Sequence, residues 1–140
     1  MNDQFTIERH PHCNINFDVA GAVARFLGQA AVEGVVGSLP WPGCEVLLAY
    51  EGTGEPIGVM LFQRSDYADT TLQISLGYVL PAFRRCGVYR RLFNELVGIA
   101  KELNARTIRG DTLMTNETAI AAFKRLGRKP AAMSFLYDVE

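Results

Sequence analysis

The spacing of apolar residues changes several times along this chain, and each change marks an element. Between Phe17 and Val36 apolar residues fall at helical spacing, at Val19, Val23, Phe26 or Leu27, and Ala30. Asp18 is placed to cap that helix. Gly21, Gly28 and Gly34 weaken it, so one broken helix or two short ones is expected. Cys44 to Tyr50 and Ile57 to Gln63 are apolar strands, and the turn residues Glu51 to Pro56 make them a hairpin. Thr71 to Val79 is a further strand, and Phe5 to Glu8 a weak first one. Helical spacing returns at Val88 and runs to Leu103, with Leu92, Leu96, Ile99 and Ala100 on the same face. Thr107 to Leu113 is a short strand, Asn116 to Gly127 a helix with its caps, and Met133 to Val139 a closing strand.

The connections have their own chemistry. Ser38 to Gly43 holds two prolines and a glycine and must be a loop. Pro81-Ala82-Phe83 reads as a helix-incompatible connection. Asn104 is suited to end the helix before it. The order strand, helix, strand from Thr71 to Leu113 predicts a parallel pair with a right-handed crossover. With the earlier hairpin, this gives an α+β fold. Its central sheet is mixed and mostly antiparallel, with helices on both faces.

Composition narrows the function. The 140 residues, 49% of them apolar, suit one domain over 1–140 with one core. Net charge is −1, so no general basic field attracts nucleic acid or an anionic membrane. Cys13, Cys44 and Cys86 are odd in number and far apart, which predicts neither a metal site nor a disulfide framework. No secretory signal or membrane-length apolar run is read from the sequence, and a reducing cytoplasm is the expected location.

Against that balanced charge, Arg84-Arg-Cys-Gly-Val-Tyr-Arg-Arg91 stands out. It lies where a strand passes through a loop into a helix. The helix start offers unpaired N–H groups and a positive dipole end. Gly87 removes the side chain that would block an anion from the backbone. The physical expectation is a phosphate or pyrophosphate cradle. It is formed by N–H groups from Cys86, Gly87, Val88 and Tyr89, with charge from Arg84, Arg85 or Arg90.

Two motifs sharpen this. Arg84-x-x-Gly87-x-Tyr89, preceded by Val79-Leu80-Pro81, resembles the acyl-CoA signature Arg/Gln-x-x-Gly-x-Gly/Ala of the GNAT superfamily of N-acetyltransferases. Asn116-x-x-Ala119-x-x-x-Phe123-x-x-x-Gly127 resembles the later helix of the same family, Asn-x-x-Ala-x-x-x-Tyr-x-x-x-Gly. The resemblance covers Cys44 to Glu140 by motif and Phe5 to Gly43 by pattern. It implies two parallel strands that splay apart to admit the thioester arm of acetyl-CoA. It places Val79 and Asn116 beside the pantetheine arm and puts Phe123 in the cofactor site.

The chain departs from the family at three positions. Tyr89 stands where Gly or Ala is usual, Phe123 where the family has a tyrosine proposed as acid, and Gln73 where it often has a glutamate. Phe123 has no proton to give and Gln73 cannot act as a base. No acid or base is assigned from the sequence: Tyr89 and Tyr137 could donate a proton but read as packing residues, Asp111 could face the cleft, and Glu33, Glu45, His10 and His12 read as surface residues. Cys86 lacks the partners of a nucleophile. Trp41, in the Pro40–Pro42 loop, is the candidate acceptor contact.

The expected function is acetyl transfer from acetyl-CoA to a primary amine of a small molecule or peptide, by direct attack in a ternary complex. Water is the expected proton carrier, because a thioester is reactive and proximity supplies much of the barrier reduction. No metal is expected; a homodimer is possible. The alternative is a non-catalytic acyl-CoA-binding or protein-interaction module of the same fold. Nucleic-acid binding ranks third, since only the arginine cluster supports it.

Overall fold

The structure is a computed structural model and describes residues 5–11, 17–34, 44–52, 54–65 and 70–139. Five strands form one sheet in sequence order: β1 (Phe5–His10), β2 (Glu45–Glu51), β3 (Pro56–Arg64), β4 (Thr71–Val79) and β5 (Thr107–Gly110). Neighbouring strands are antiparallel except β4 and β5, which pair in parallel from Thr71↔Thr107 to Ile74↔Gly110. Helices α1 (Phe17–Val32), α2 (Val88–Glu102) and α3 (Glu117–Arg125) complete the element order.

α1 is a single unbroken helix, not the broken one expected from its glycines. Each interior glycine costs about 1 kcal/mol. Burial of Val19, Val23 and Phe26 on the sheet outweighs that, at roughly 1.5–3 kcal/mol for each large apolar side chain. Gly34, at φ 72°, lies just beyond its end. Pro81–Phe83, expected to exclude helix, forms a turn of 3-10 helix with proline in its first turn, where a missing N–H costs nothing. β5 stops at Gly110 rather than Leu113. The segment 133–139 forms no strand at all. The Ser38–Gly43 loop lies outside the described residues.

The core has two layers. α1 covers one sheet face, with Val46, Leu48, Val59, Leu61, Leu76 and Tyr78 beneath it. α2 covers the other, burying Leu92 and Leu96 against Leu47, Met60, Phe62 and Leu72. The register of β4 shifts between these layers. Leu61 pairs with Leu76 and Phe62 with Ile74, so Ser75 is an extra residue in β4. This bulge turns Leu72 and Ile74 toward α2 but Leu76 and Tyr78 toward α1. Parallel pairing with β5 ends at the same place, while β4 continues to Val79. The two strands separate there.

Candidate active site

The turn between the 3-10 helix and α2 alternates in hand. Arg84 is extended, while Arg85 (φ 64°) and Gly87 (φ 86°) are left-handed. A left-handed L-residue costs about 1–2 kcal/mol, which Gly87 escapes and Arg85 does not. Such alternation turns successive N–H groups into one concavity. Gly87 is also the N-cap of α2, with no side chain to bond the first N–H groups, and the first turn carries no acid. The positive end of α2 is thus left open to an anion.

The arginines do not all face that opening. Arg84 Nε donates to the Val79 carbonyl at 2.9 Å, and its Nη2 donates to Glu33 Oε1 at 2.8 Å. Its guanidinium lies 5.2 Å from the Tyr78 ring centre. The Tyr78 hydroxyl donates to the second oxygen of Glu33. Arg84 therefore ties the loop to β4 and to the end of α1. Glu33 is held below the ordinary carboxylate range by the Tyr78 hydrogen bond first and Arg84 second. Arg91 Nη2 donates to the Phe5 carbonyl at 3.2 Å. Arg85, Arg90 and Cys86 are exposed. The Val88 side chain is in the core, so it offers only its N–H.

Where β4 and β5 separate, a small cleft of about 90 Å³ opens. Ser75 to Gly77 form one wall and Gly110 to Thr112 the other; Asn116, Ala119 and Phe123 of α3 close it. Tyr89 enters from α2. Its ring packs so close to Gly77 that a Cβ there would lie 2.7 Å from Tyr89 Cε2. Gly77 is required by that approach. Arg128 Nη1 donates to the Tyr89 hydroxyl at 2.9 Å. The Arg128 guanidinium lies 4.0 Å from the Phe123 ring centre and 5.1 Å from that of Phe93. The Tyr89 and Phe123 rings are 5.9 Å apart.

The Tyr89 hydroxyl accepts from Arg128, so its own proton remains to be donated. Burial pushes its pKa up, and the Arg128 charge works against this. Tyr89 is therefore a neutral phenol at physiological pH. Asn116 Oδ1 accepts from the Ala119 N–H at 3.1 Å, capping α3 while Asn116 also lines the cleft. Asp111 lines the cleft too, but it is exposed and sits 3.7 Å from Arg109 Nε. Gln73 Nε2 donates to the Ile74 carbonyl at 3.3 Å. Val79 ends β4 beside the loop. Glu45 is bound by Arg9 and lies away from the cleft. Trp41 and His12 fall outside the described residues.

The loop and the cleft are thus adjacent, joined by Tyr89. The sequence reading missed Arg128, which no periodicity or motif marks. It also missed the Ser75 bulge and the Glu33–Tyr78–Arg84 cluster.

Residues 24–127 match the model of the acetyltransferase (GNAT) family. The chain belongs to that family. It is an acyl-CoA-dependent N-acetyltransferase by class, with acetyl transfer as its general chemistry. No curated protein matches it in sequence. Solved GNAT-type structures share its fold. An aminoglycoside acetyltransferase, meta-AAC0020, from an uncultured soil metagenomic sample and bound to trehalose, has a TM-score of 0.74 at 14% identity, covering 99% of each chain. AAC(6')-Iy with a CoA-S-monomethyl-acetylneamine bisubstrate analogue has a TM-score of 0.71 at 18% identity, over 97% of this chain and 98% of that one. A possible acetyltransferase from Clostridium difficile 630 has a TM-score of 0.69 at 19% identity, over 99% of both. Among the described residues, no group of His, Cys, Asp and Glu is arranged to hold a metal. No helix among them is long and apolar enough to cross a membrane.

Proposed function

We propose that the protein transfers the acetyl group of acetyl-CoA to a primary amine of a small molecule, in a ternary complex. The observation that carries this reading is the double position of Tyr89. Its N–H belongs to the uncapped first turn of α2, and its ring walls the cleft between β4 and β5. One residue thus links an anion cradle to a confined reaction space, as an acyl-CoA requires.

The residues fit that ligand. The N–H groups from Cys86 to Tyr89, with Arg85 and Arg90, would hold the pyrophosphate. Val79 and Asn116 would flank the pantetheine arm, with Phe123 packing beside it. Arg84 serves the site by fixing the loop. Acetyl-CoA supplies an activated thioester. As the amine nitrogen bonds to the carbonyl carbon, the C–S bond breaks, the amine gives up a proton and the thiolate takes one. The Tyr89 hydroxyl is the best-placed donor for that second proton. It reaches from α2 to the side of Phe123, where the family has its tyrosine. Among the described residues, no carboxylate comparably placed for the amine proton lines the cleft; Asp111 is exposed, and water takes that proton.

The acceptor is a small amine. The fold neighbours described as aminoglycoside acetyltransferases make aminoglycosides the first members of a test panel. Incubating the protein with acetyl-CoA and single amines, followed by mass spectrometry, tests the reading. An amine heavier by one acetyl group supports it. Stabilisation by CoA with no acetylated amine across aminoglycosides, polyamines and amino acids would point instead to a binding module.

A further inference from the structure

The end of α3 delivers a cation into the cleft. Gly127 is left-handed at φ 84°, and its N–H donates to the Lys124 carbonyl at 3.0 Å. The Arg128 N–H donates to the Phe123 carbonyl at 3.1 Å. These two bonds form a Schellman closure, whose left-handed position glycine takes without a Cβ penalty. The closure turns Arg128 back over its own helix. Its guanidinium then spans the opening between the separated strands. On the β4 side it bonds the Tyr89 hydroxyl, and the Tyr89 ring packs on Gly77. On the β5 side its Nη2 lies so near Gly110 that a Cβ there would be 2.6 Å away. A glycine on each wall makes room for this pair of side chains.

No anion answers that charge. Among the described residues Arg128 makes no salt bridge. Its side-chain partners are a phenol and the faces of the Phe123 and Phe93 rings. Asp111, the carboxylate of the cleft lining, is exposed and sits by Arg109. A guanidinium keeps its proton at any working pH. A fixed cation in a confined site, without a counterion, is suited to negative charge that appears only during the reaction.

We propose that Arg128 is a second catalytic residue, whose guanidinium carries the negative charge of the departing coenzyme A sulfur, a role that rests on acetyl-CoA being the donor. A proton donor lies about 2.6–3.2 Å from the atom it protonates. Arg128 Nη1 is 2.9 Å from the Tyr89 oxygen. Sulfur and guanidinium are therefore neighbours across one oxygen. As the amine nitrogen bonds to the carbonyl carbon, the C–S electron pair passes to sulfur. Tyr89 gives sulfur its proton and is left as a phenolate. Water then returns to Tyr89 the proton taken from the amine. Arg128 exchanges no proton, and both successive anions form beside it.

The thiol of bound CoA reports on this charge without any turnover. Its ionisation is followed by thiolate ultraviolet absorbance in a pH titration of the CoA complex, with native chain and with Arg128→Gln. On the native chain the bound thiol should ionise below the ordinary thiol value of about 8.5. On Arg128→Gln it should ionise at or above that value, with CoA still held at the α2 terminus. The same variant should lower kcat by roughly 10²–10³-fold, the usual cost of removing one preorganised donor, with little change in KM for acetyl-CoA. Arg128→Lys keeps the charge and should keep the thiol value low, which covers the case in which Arg128→Gln misfolds. A thiol that titrates alike on native chain and Arg128→Gln, or at its ordinary value on Arg128→Lys, would overturn the proposal and leave acetyl transfer standing. A native chain that binds no CoA would overturn both.

Discussion

Tyr89 keeps its proton because burial outweighs the pull of Arg128. As a general acid it must be protonated, and it is so at every pH below its raised pKa. No loss of rate from Tyr89 is therefore expected between pH 6 and about 9, and the alkaline fall should begin above the ordinary phenol value of about 10. Tyr89→Phe should lower kcat by roughly 10²–10⁴-fold, the usual share of a general acid, with little change in KM for acetyl-CoA. A pH–rate profile and steady-state kinetics check both. A loss under about tenfold would return the proton to water. Glu33 gives the opposite sign. Its carboxyl is held low, so the stability it contributes is present above pH 4.5 and is lost as pH falls through the folded pKa. Glu33→Gln should flatten the acid limb of a melting-temperature profile, since the amide cannot ionise. At this scale the sequence was legible only where a motif named the residue. Gly87 at the start of α2 and Asn116 at the start of α3 were placed that way. Arg128 was not, because it sits among Arg125 and Lys129 with nothing in the spacing to single it out. Arg84 looked like a phosphate ligand, but its side chain turns back onto Val79 and Glu33.

α2 shows how an element sets the site. Its apolar face is buried against all five strands, so the position of its first turn is fixed by the core. Leu96→Ala removes a fully buried side chain and should cost about 2–5 kcal/mol of unfolding free energy by denaturant titration. The activity of the folded fraction should stay near wild type, because Leu96 does not line the cleft. The periodicity that revealed α2 was unambiguous, with six apolar residues on one face. β4 was harder to read. Leu72, Ile74, Leu76 and Tyr78 alternate as if on one face, and only pairing with β3 shows that Ser75 bulges and turns the last two over. A bulge is a property of two strands, so one strand's sequence does not display it. α1 misled in the other direction. Its glycines argued for a break, but tertiary burial kept it continuous. The segment expected as a strand over 133–139 had the right pattern but pairs with no strand among the described residues.

At the scale of the molecule, charge separates two readings of the arginine cluster. Fourteen basic residues face fifteen acidic ones, so the cluster is local. Binding to random duplex DNA at physiological salt should be undetectable by fluorescence titration. A measurable affinity falling steeply with salt would show phosphate-backbone tracking instead. CoA binding should be strong in comparison, with its pyrophosphate at the α2 terminus. A ligand that binds only the folded state raises the melting temperature by mass action. The most direct measurement is thiol release from acetyl-CoA in the presence of an acetylated acceptor's parent amine, run on wild type and on Gly87→Glu side by side. The variant puts bulk and negative charge where the pyrophosphate belongs. Wild type should release thiol in an amine-dependent way, and Gly87→Glu should lose both that release and the CoA-induced rise in melting temperature. Equal release by both proteins would contradict this, because the cradle at residues 84–91 would then not hold the acetyl donor.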